Sequence, residues 1–122
     1  MNNILNKEII QSVIEIANLA GDAIMDIYNT DFDYELKDDK SPLTKADLAA
    51  NQIIISELKK IGSSYPIISE ESSYIEFKER SSWERYWLVD PLDGTKEFLK
   101  KNGQFTVNIA LIEKNRPIFG VI

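Results

Sequence analysis

WLVDPLDGTKEF, residues 87–98, is an apolar run that ends in two aspartates three positions apart, divided by a proline and followed at once by glycine and threonine. Tyr86 to Val89 reads as a short buried strand, and the Asp-Pro and Asp-Gly pairs read as the tight turn that ends it. As an isolated segment it is accounted for as structure alone. The same geometry has a second use. A proline-stiffened turn at a strand end aims the Asp90 and Asp93 carboxylates and the Leu92 carbonyl into one space, as fixed oxygen donors of the kind Mg²⁺ takes. Gly94 would let an anion approach the backbone, and a helix starting near Thr95 would offer it free amides.

Downstream of this stretch, FTVNIALI (Phe105 to Ile112) and PIFGVI (Pro117 to Ile122) are strand-like and are joined by the turn Glu113-Lys114-Asn115-Arg116. A connection that short makes them antiparallel. Upstream, Tyr65 to Ser69 reads as a short buried strand leading into Glu70 and Glu71, and Tyr74 to Glu84 as a polar surface loop.

The N-terminal part is helical. From about Asn6 to Tyr28 the residues Ile9, Val13, Ile16, Ala17, Ala20, Ile24 and Ile27 recur at helical spacing. Asn29 to Asp33 breaks that helix, and Tyr34 to Lys37 reads as a short strand. A second helix is announced by Ser41-Pro42-Leu43-Thr44, with Thr44 as cap and Asp47 in the capping-box position. Ala50, Ile54, Leu58 and Ile61 supply its buried stripe, and Gly62 ends it. Trp87, Phe98 and Phe105 read as core; Lys96, Glu97, Lys100 and Lys101 read as an exposed face. This order predicts an α+β fold: two N-terminal helices packed on a mostly antiparallel sheet.

The chain of 122 residues suits one domain, and 43% hydrophobic with 28% charged residues is the balance of a globular protein. A net charge of -6 and the scarcity of Lys and Arg clusters argue against nucleic acid as the main partner, because phosphate neutralisation needs concentrated positive charge. A small phosphorylated ligand fits if divalent cations reverse the local sign. Cysteine and histidine are both absent, which leaves carboxylates, hydroxyls and amines for any chemistry and favours hard, oxygen-bound metals. The N-terminus lacks the form of a signal peptide, and no window is long and apolar enough for a transmembrane segment. The expected location is cytoplasmic, with peripheral contact at the inner membrane as an option.

Asp90-Pro91-Leu92-Asp93-Gly94-Thr95 resembles the first signature of the inositol monophosphatase and fructose-bisphosphatase superfamily of Mg²⁺-dependent, lithium-sensitive phosphatases. IISEES supplies the metal-binding glutamate of that pattern as Glu70, and SPLTKAD supplies Asp47. The three matches run in the family's order and cover nearly the whole chain. DPLDGTKEF followed by NGQFTVNIALI is similar to the CysQ-type 3'(2'),5'-bisphosphate nucleotidase branch, where inositol monophosphatases carry Thr-Asn in place of Lys96-Glu97.

The resemblance implies the N-terminal half of a layered αβαβα fold and a small nucleotide substrate, adenosine 3',5'-bisphosphate. It implies two or more Mg²⁺ ions, with Li⁺ inhibition. Glu70, Asp90 and the Leu92 carbonyl would hold one ion; Asp90 and Asp93 would share a second. Thr95 and Asp47, with Glu70, would serve the attacking water, Glu71 a further water or metal, and the backbone from Leu92 to Thr95 the phosphate. Each residue also has a plainer reading: Asp47 as a helix cap, Glu70 and Glu71 as solvated charges, Thr95 as a helix starter.

Family members run on into a second domain whose WDxAA-like signature supplies another aspartate, and that signature is absent from these 122 residues. The expectation is an N-terminal metal-binding domain spanning residues 1–122, without the C-terminal domain and with little turnover alone. Three other readings stand beside the nucleotidase: an inositol monophosphatase-type sugar phosphatase, a regulatory metal-binding module, and a non-catalytic form that self-associates through its exposed sheet or apolar C-terminal strand.

Overall fold

The structure, a computed structural model, describes residues 7–29, 42–61, 65–69, 83–94, 97–98 and 103–122. Two helices, α1 (Lys7–Tyr28) and α2 (Pro42–Lys60), precede four strands: β1 (Ile67–Ser69), β2 (Arg85–Asp93), β3 (Thr106–Glu113) and β4 (Arg116–Val121). The strands form one sheet in the order β1-β2-β3-β4. β1 runs parallel to β2, while β2–β3 and β3–β4 are antiparallel, so the sheet is mixed. The segment expected as a strand at 34–37 lies outside the described residues.

The helices form where the sequence period predicts them, and the period decides which side they bury. In α1 the buried residues are Val13, Ile16, Ala20 and Ile24. They are spaced by three and four, which keeps them on one face of a 3.6-residue turn. α2 buries Ala46, Ala50, Ile54 and Leu58 on a strict four-residue repeat. The helix begins at Pro42, two residues before Thr44, so it starts earlier than a cap at Thr44 would set it, and Asp47 lies in its second turn. Proline is suited to a first helical position, because its φ is already helical and its missing N–H would have had no partner there.

Both helices pack on one face of the sheet. Strand side chains alternate, and Trp87, Val89, Ile109 and Leu111 point into the core with the helical stripes. Each such large side chain, fully buried, stabilises the fold by roughly 1.5–3 kcal/mol. The opposite face carries Leu88, which stays exposed, together with Ala110 and Ile112. At the far end of β2, Arg85 Nε donates to Glu113 Oε2 at 2.6 Å across the β2–β3 pair. Both side chains are about one-third exposed, so this pair contributes little, roughly 0–1 kcal/mol.

The β3–β4 hairpin closes through Lys114 and Asn115, with φ of 51° and 66°, between the paired residues Glu113 and Arg116. Two central residues with positive φ make a type I′ turn, whose twist matches that of the strands. Asparagine tolerates that conformation and lysine does not prefer it. The double substitution Lys114→Asn, Asn115→Gly is therefore expected to raise the unfolding free energy by about 1 kcal/mol, read as a higher urea midpoint at unchanged slope.

Candidate functional site

β2 does not stop at Val89. It continues through Asp93, so the Asp90–Asp93 segment is part of the strand and the tight turn expected there is absent. The strand accommodates the proline by an irregularity in its pairing. Asp90 pairs with Asn108 and Asp93 with Thr106, so three steps along β2 match two along β3. Pro91 and Leu92 together oppose Val107, which is a one-residue β-bulge. Proline has no N–H to give to a ladder, and a bulge is one of the few places inside a sheet where that is tolerated.

The bulge sets the direction of both carboxylates. In a regular strand, residues three apart point to opposite faces. The extra residue cancels the odd spacing, because the partners Asn108 and Thr106 are two apart and therefore share a face. Asp90 and Asp93 consequently project on the same side, away from the helices. Pro91 and Leu92 are buried, Asp90 is half-buried and Asp93 exposed. Asn108 Nδ2 lies 3.4 Å from Asp93 Oδ2, at the long limit of a hydrogen bond. Asp90 and Asn108 line one groove of about 480 Å³ with Leu88, Ala110, Gly120 and Ile122.

Gly94 follows with φ of 97°, in the region that only glycine adopts freely. Its missing side chain is also required sterically. A Cβ there would stand 2.8 Å from the Gln104 carbonyl oxygen and 3.1 Å from Phe105 Cα. The demand for glycine at this point thus comes from the chain itself, on the side where residues 104–105 pass. Phe98 N–H then donates to the Gly94 carbonyl at 2.9 Å, a helical bond that starts directly after the bulged strand. Phe98 is fully buried, and its ring meets Phe105 at 5.4 Å and Tyr28 at 5.5 Å between centroids. The aromatic group fixes the exit from the site to the end of α1.

On the helix side of the sheet, α2 and β1 meet near the same end of β2. Ser69, the last residue of β1, pairs with Val89, the residue before Asp90. Its hydroxyl donates to Asn51 Oδ1 at 2.5 Å, tying α2 to the carboxyl end of β1. Asp47 lies one turn before Asn51 on the same side of α2, half-buried between Ala46 and Ala50.

Of the residues expected to act, Asp90, Leu92, Asp93 and Gly94 are brought together at the end of β2, with Asp47 on the helix that is tied to that end. Glu70, Glu71 and Thr95 lie outside the described residues. Among the described residues no three acidic side chains form a cluster sized for a metal ion, and no helix is long and apolar enough to cross a membrane. Reading the sequence missed Ser69, Asn51 and Asn108. The available signal was a lone amide in the otherwise apolar run VNIALI.

Gly94→Ala tests the strand exit. Positive φ and the 2.8 Å approach to Gln104 act together, and the expected loss is about 2–4 kcal/mol, measured by urea unfolding.

With this geometry in view, comparison with known proteins gives consistent matches. The model of the inositol monophosphatase family matches residues 5–122. The 3'(2'),5'-bisphosphate nucleotidase CysQ of Salmonella typhimurium is 49% identical over 115 residues, covering 93% of this chain and 46% of its own length. The protein of the same name from Buchnera aphidicola is 52% identical over 124 residues, covering 100% of this chain and 46% of its own length. The crystal structure of CysQ from Bacteroides thetaiotaomicron, a bacterial member of the inositol monophosphatase family, superposes with a TM-score of 0.87 at 42% identity. That match covers 98% of this chain and 43% of the other. The chain spans about half the length of the curated relatives it matches.

Proposed function

The chain belongs to the inositol monophosphatase family, and on that premise we propose that residues 1–122 act as the N-terminal metal-binding domain of a Mg²⁺-dependent phosphomonoesterase. The reaction is that of a cytoplasmic 3'(2'),5'-bisphosphate nucleotidase, removing the 3' phosphate of adenosine 3',5'-bisphosphate to leave AMP, a step of sulfur metabolism. The names of the relatives support the substrate. The observation that carries the chemistry is the bulge that turns Asp90 and Asp93 onto one face opposite Asn108.

The donors fit a hard divalent cation. All are oxygens, two are carboxylates on a common face, and histidine and cysteine, which would draw softer metals, are absent from the chain. Asp90, Asp93, Glu70 and the Leu92 carbonyl would hold Mg²⁺. When bound, the ion supplies the positive charge that phosphoryl transfer requires. Asp47 and Thr95 would orient the attacking water, with Glu70 beside them, and the backbone from Leu92 to Thr95 would seat the phosphate.

Phosphate release from adenosine 3',5'-bisphosphate with Mg²⁺ tests the assignment, assayed on the chain alone and after addition of the C-terminal half of a CysQ relative. Asp90→Asn is expected to lower kcat by about 10²- to 10³-fold. Release that survives this substitution would remove Asp90 from the site, and equal rates on an inositol phosphate would refute the substrate.

A second reading, self-association through the outer sheet face, is favoured by three exposed apolar residues: Leu88 on β2, Ile118 on β4 and Ile122 just after it. β4 is also an edge strand among the described residues. Sedimentation of a monomer at micromolar concentration would exclude it.

A further inference from the structure

Asn108 faces both carboxylates from the neighbouring strand. It is the cross-strand partner of Asp90, and its Nδ2 stands 3.4 Å from Asp93 Oδ2. The other end of the same amide is unsupported, for Oδ1 is buried without a hydrogen-bond partner among the described residues. A buried acceptor in that condition costs the full desolvation of its oxygen. The flanking residues Val107, Ile109, Ala110 and Leu111 are all apolar, so an aliphatic side chain at 108 would suit the strand without that loss.

Turning the amide over does not cure the defect. It would set Oδ1 against the Asp93 carboxylate, oxygen to oxygen, and bury the two N–H donors in its place. The orientation of Asn108 is therefore dictated by Asp93, and its buried Oδ1 bears the cost.

We infer that Asn108 is a positioning residue of the carboxylate pair: its amide N–H holds the Asp93 side chain on the face shared with Asp90 and sets where those oxygens stand before a cation arrives. This inference rests on the reading of Asp90 and Asp93 as cation ligands. A neutral donor suits the task. A lysine or arginine at 108 would neutralise the pair and compete with the cation, and a hydrophobic residue would leave Asp93, which is exposed, to sample many rotamers. Hydrogen bonds to a ligating carboxylate act by restricting its orientation, and losing one weakens metal binding without touching the metal.

Mn²⁺ alone is the probe, titrated into the chain and followed by the paramagnetic resonance of the free ion. Asn108→Leu, close in volume, deletes the donor and the orphaned acceptor together. The expected result is Mn²⁺ binding weakened by about 10- to 100-fold with a urea midpoint equal to or above that of the wild type. Asn108→Ala demands no room and is expected to show the same affinity loss, which keeps the test readable if the leucine variant fails to fold. A residue that serves packing alone gives the reverse pattern, a lowered midpoint with unchanged affinity, and that pattern overturns the inference. Asp90→Asn separates the two levels. If the wild type fails to bind Mn²⁺, or Asp90→Asn binds it equally well, the assignment of the cation ligands falls and this inference with it. If Asp90→Asn is impaired while both Asn108 variants bind as the wild type does, the inference alone falls.

Discussion

A β-strand has a period of two, and the aspartates of this chain are three residues apart. The one-residue bulge at Pro91–Leu92 reconciles those two facts, and the site depends on it. Without the extra residue, one carboxylate would face solvent on the outer side of the sheet and the other would be driven into the core against the helices, where an unpaired charge is costly. The buried side chains of Pro91 and Leu92 anchor the bulge, so its shape is held by packing as well as by the ladder.

Around that irregularity the fold is ordinary, and its regular parts set the site's boundaries. The parallel β1–β2 pair brings Ser69 beside Val89, and the Ser69–Asn51 bond carries α2 to the same end. On the other side, Gly94 lets the chain pass against residues 104–105. The rings of Tyr28, Phe98 and Phe105 then close that passage over the end of α1, with the Tyr28 and Phe105 centroids 5.0 Å apart. Three independent kinds of interaction, a backbone ladder, one part-buried polar bond and an aromatic cluster, converge on the last residues of β2.

Much of this was legible in the sequence, for reasons that can be given residue by residue. The stripes of α1 and α2 were readable because helical burial follows a fixed period, and Val13, Ile16, Ala20, Ile24, Ala50, Ile54 and Leu58 obey it. The β3–β4 hairpin was readable because four polar residues separate two apolar runs. The parallel pairing of β1 was not readable, since it is decided by tertiary placement and leaves no local signal. The start of α2 was placed at Thr44 because a capping box is a strong motif; Pro42, already shaped for a first turn, wins. The Asp-Pro-Leu-Asp segment was read as a turn because its residues favour turns. The pairing with β3 overrides that preference, and register is a property of two strands together. Asn108 escaped for the same reason: its partner is chosen across the sheet, fifteen residues from Asp93.

The bulge carries one consequence for what the DPLD spacing encodes. Two carboxylates on one face of a strand need only the spacing Asp-x-Asp, with no interruption of the ladder and no proline. A chain selected for the charges alone would have the simpler pattern and a more regular sheet. The extra residue adds something the simpler pattern lacks: a peptide between the aspartates that falls outside the β2–β3 register. The informative element of the motif is then the unpaired stretch of main chain it inserts, more than the acid side chains that make it visible. Mutational surveys that score only Asp90 and Asp93 would overlook Leu92, whose deletion would restore the two-residue register and remove that stretch of main chain.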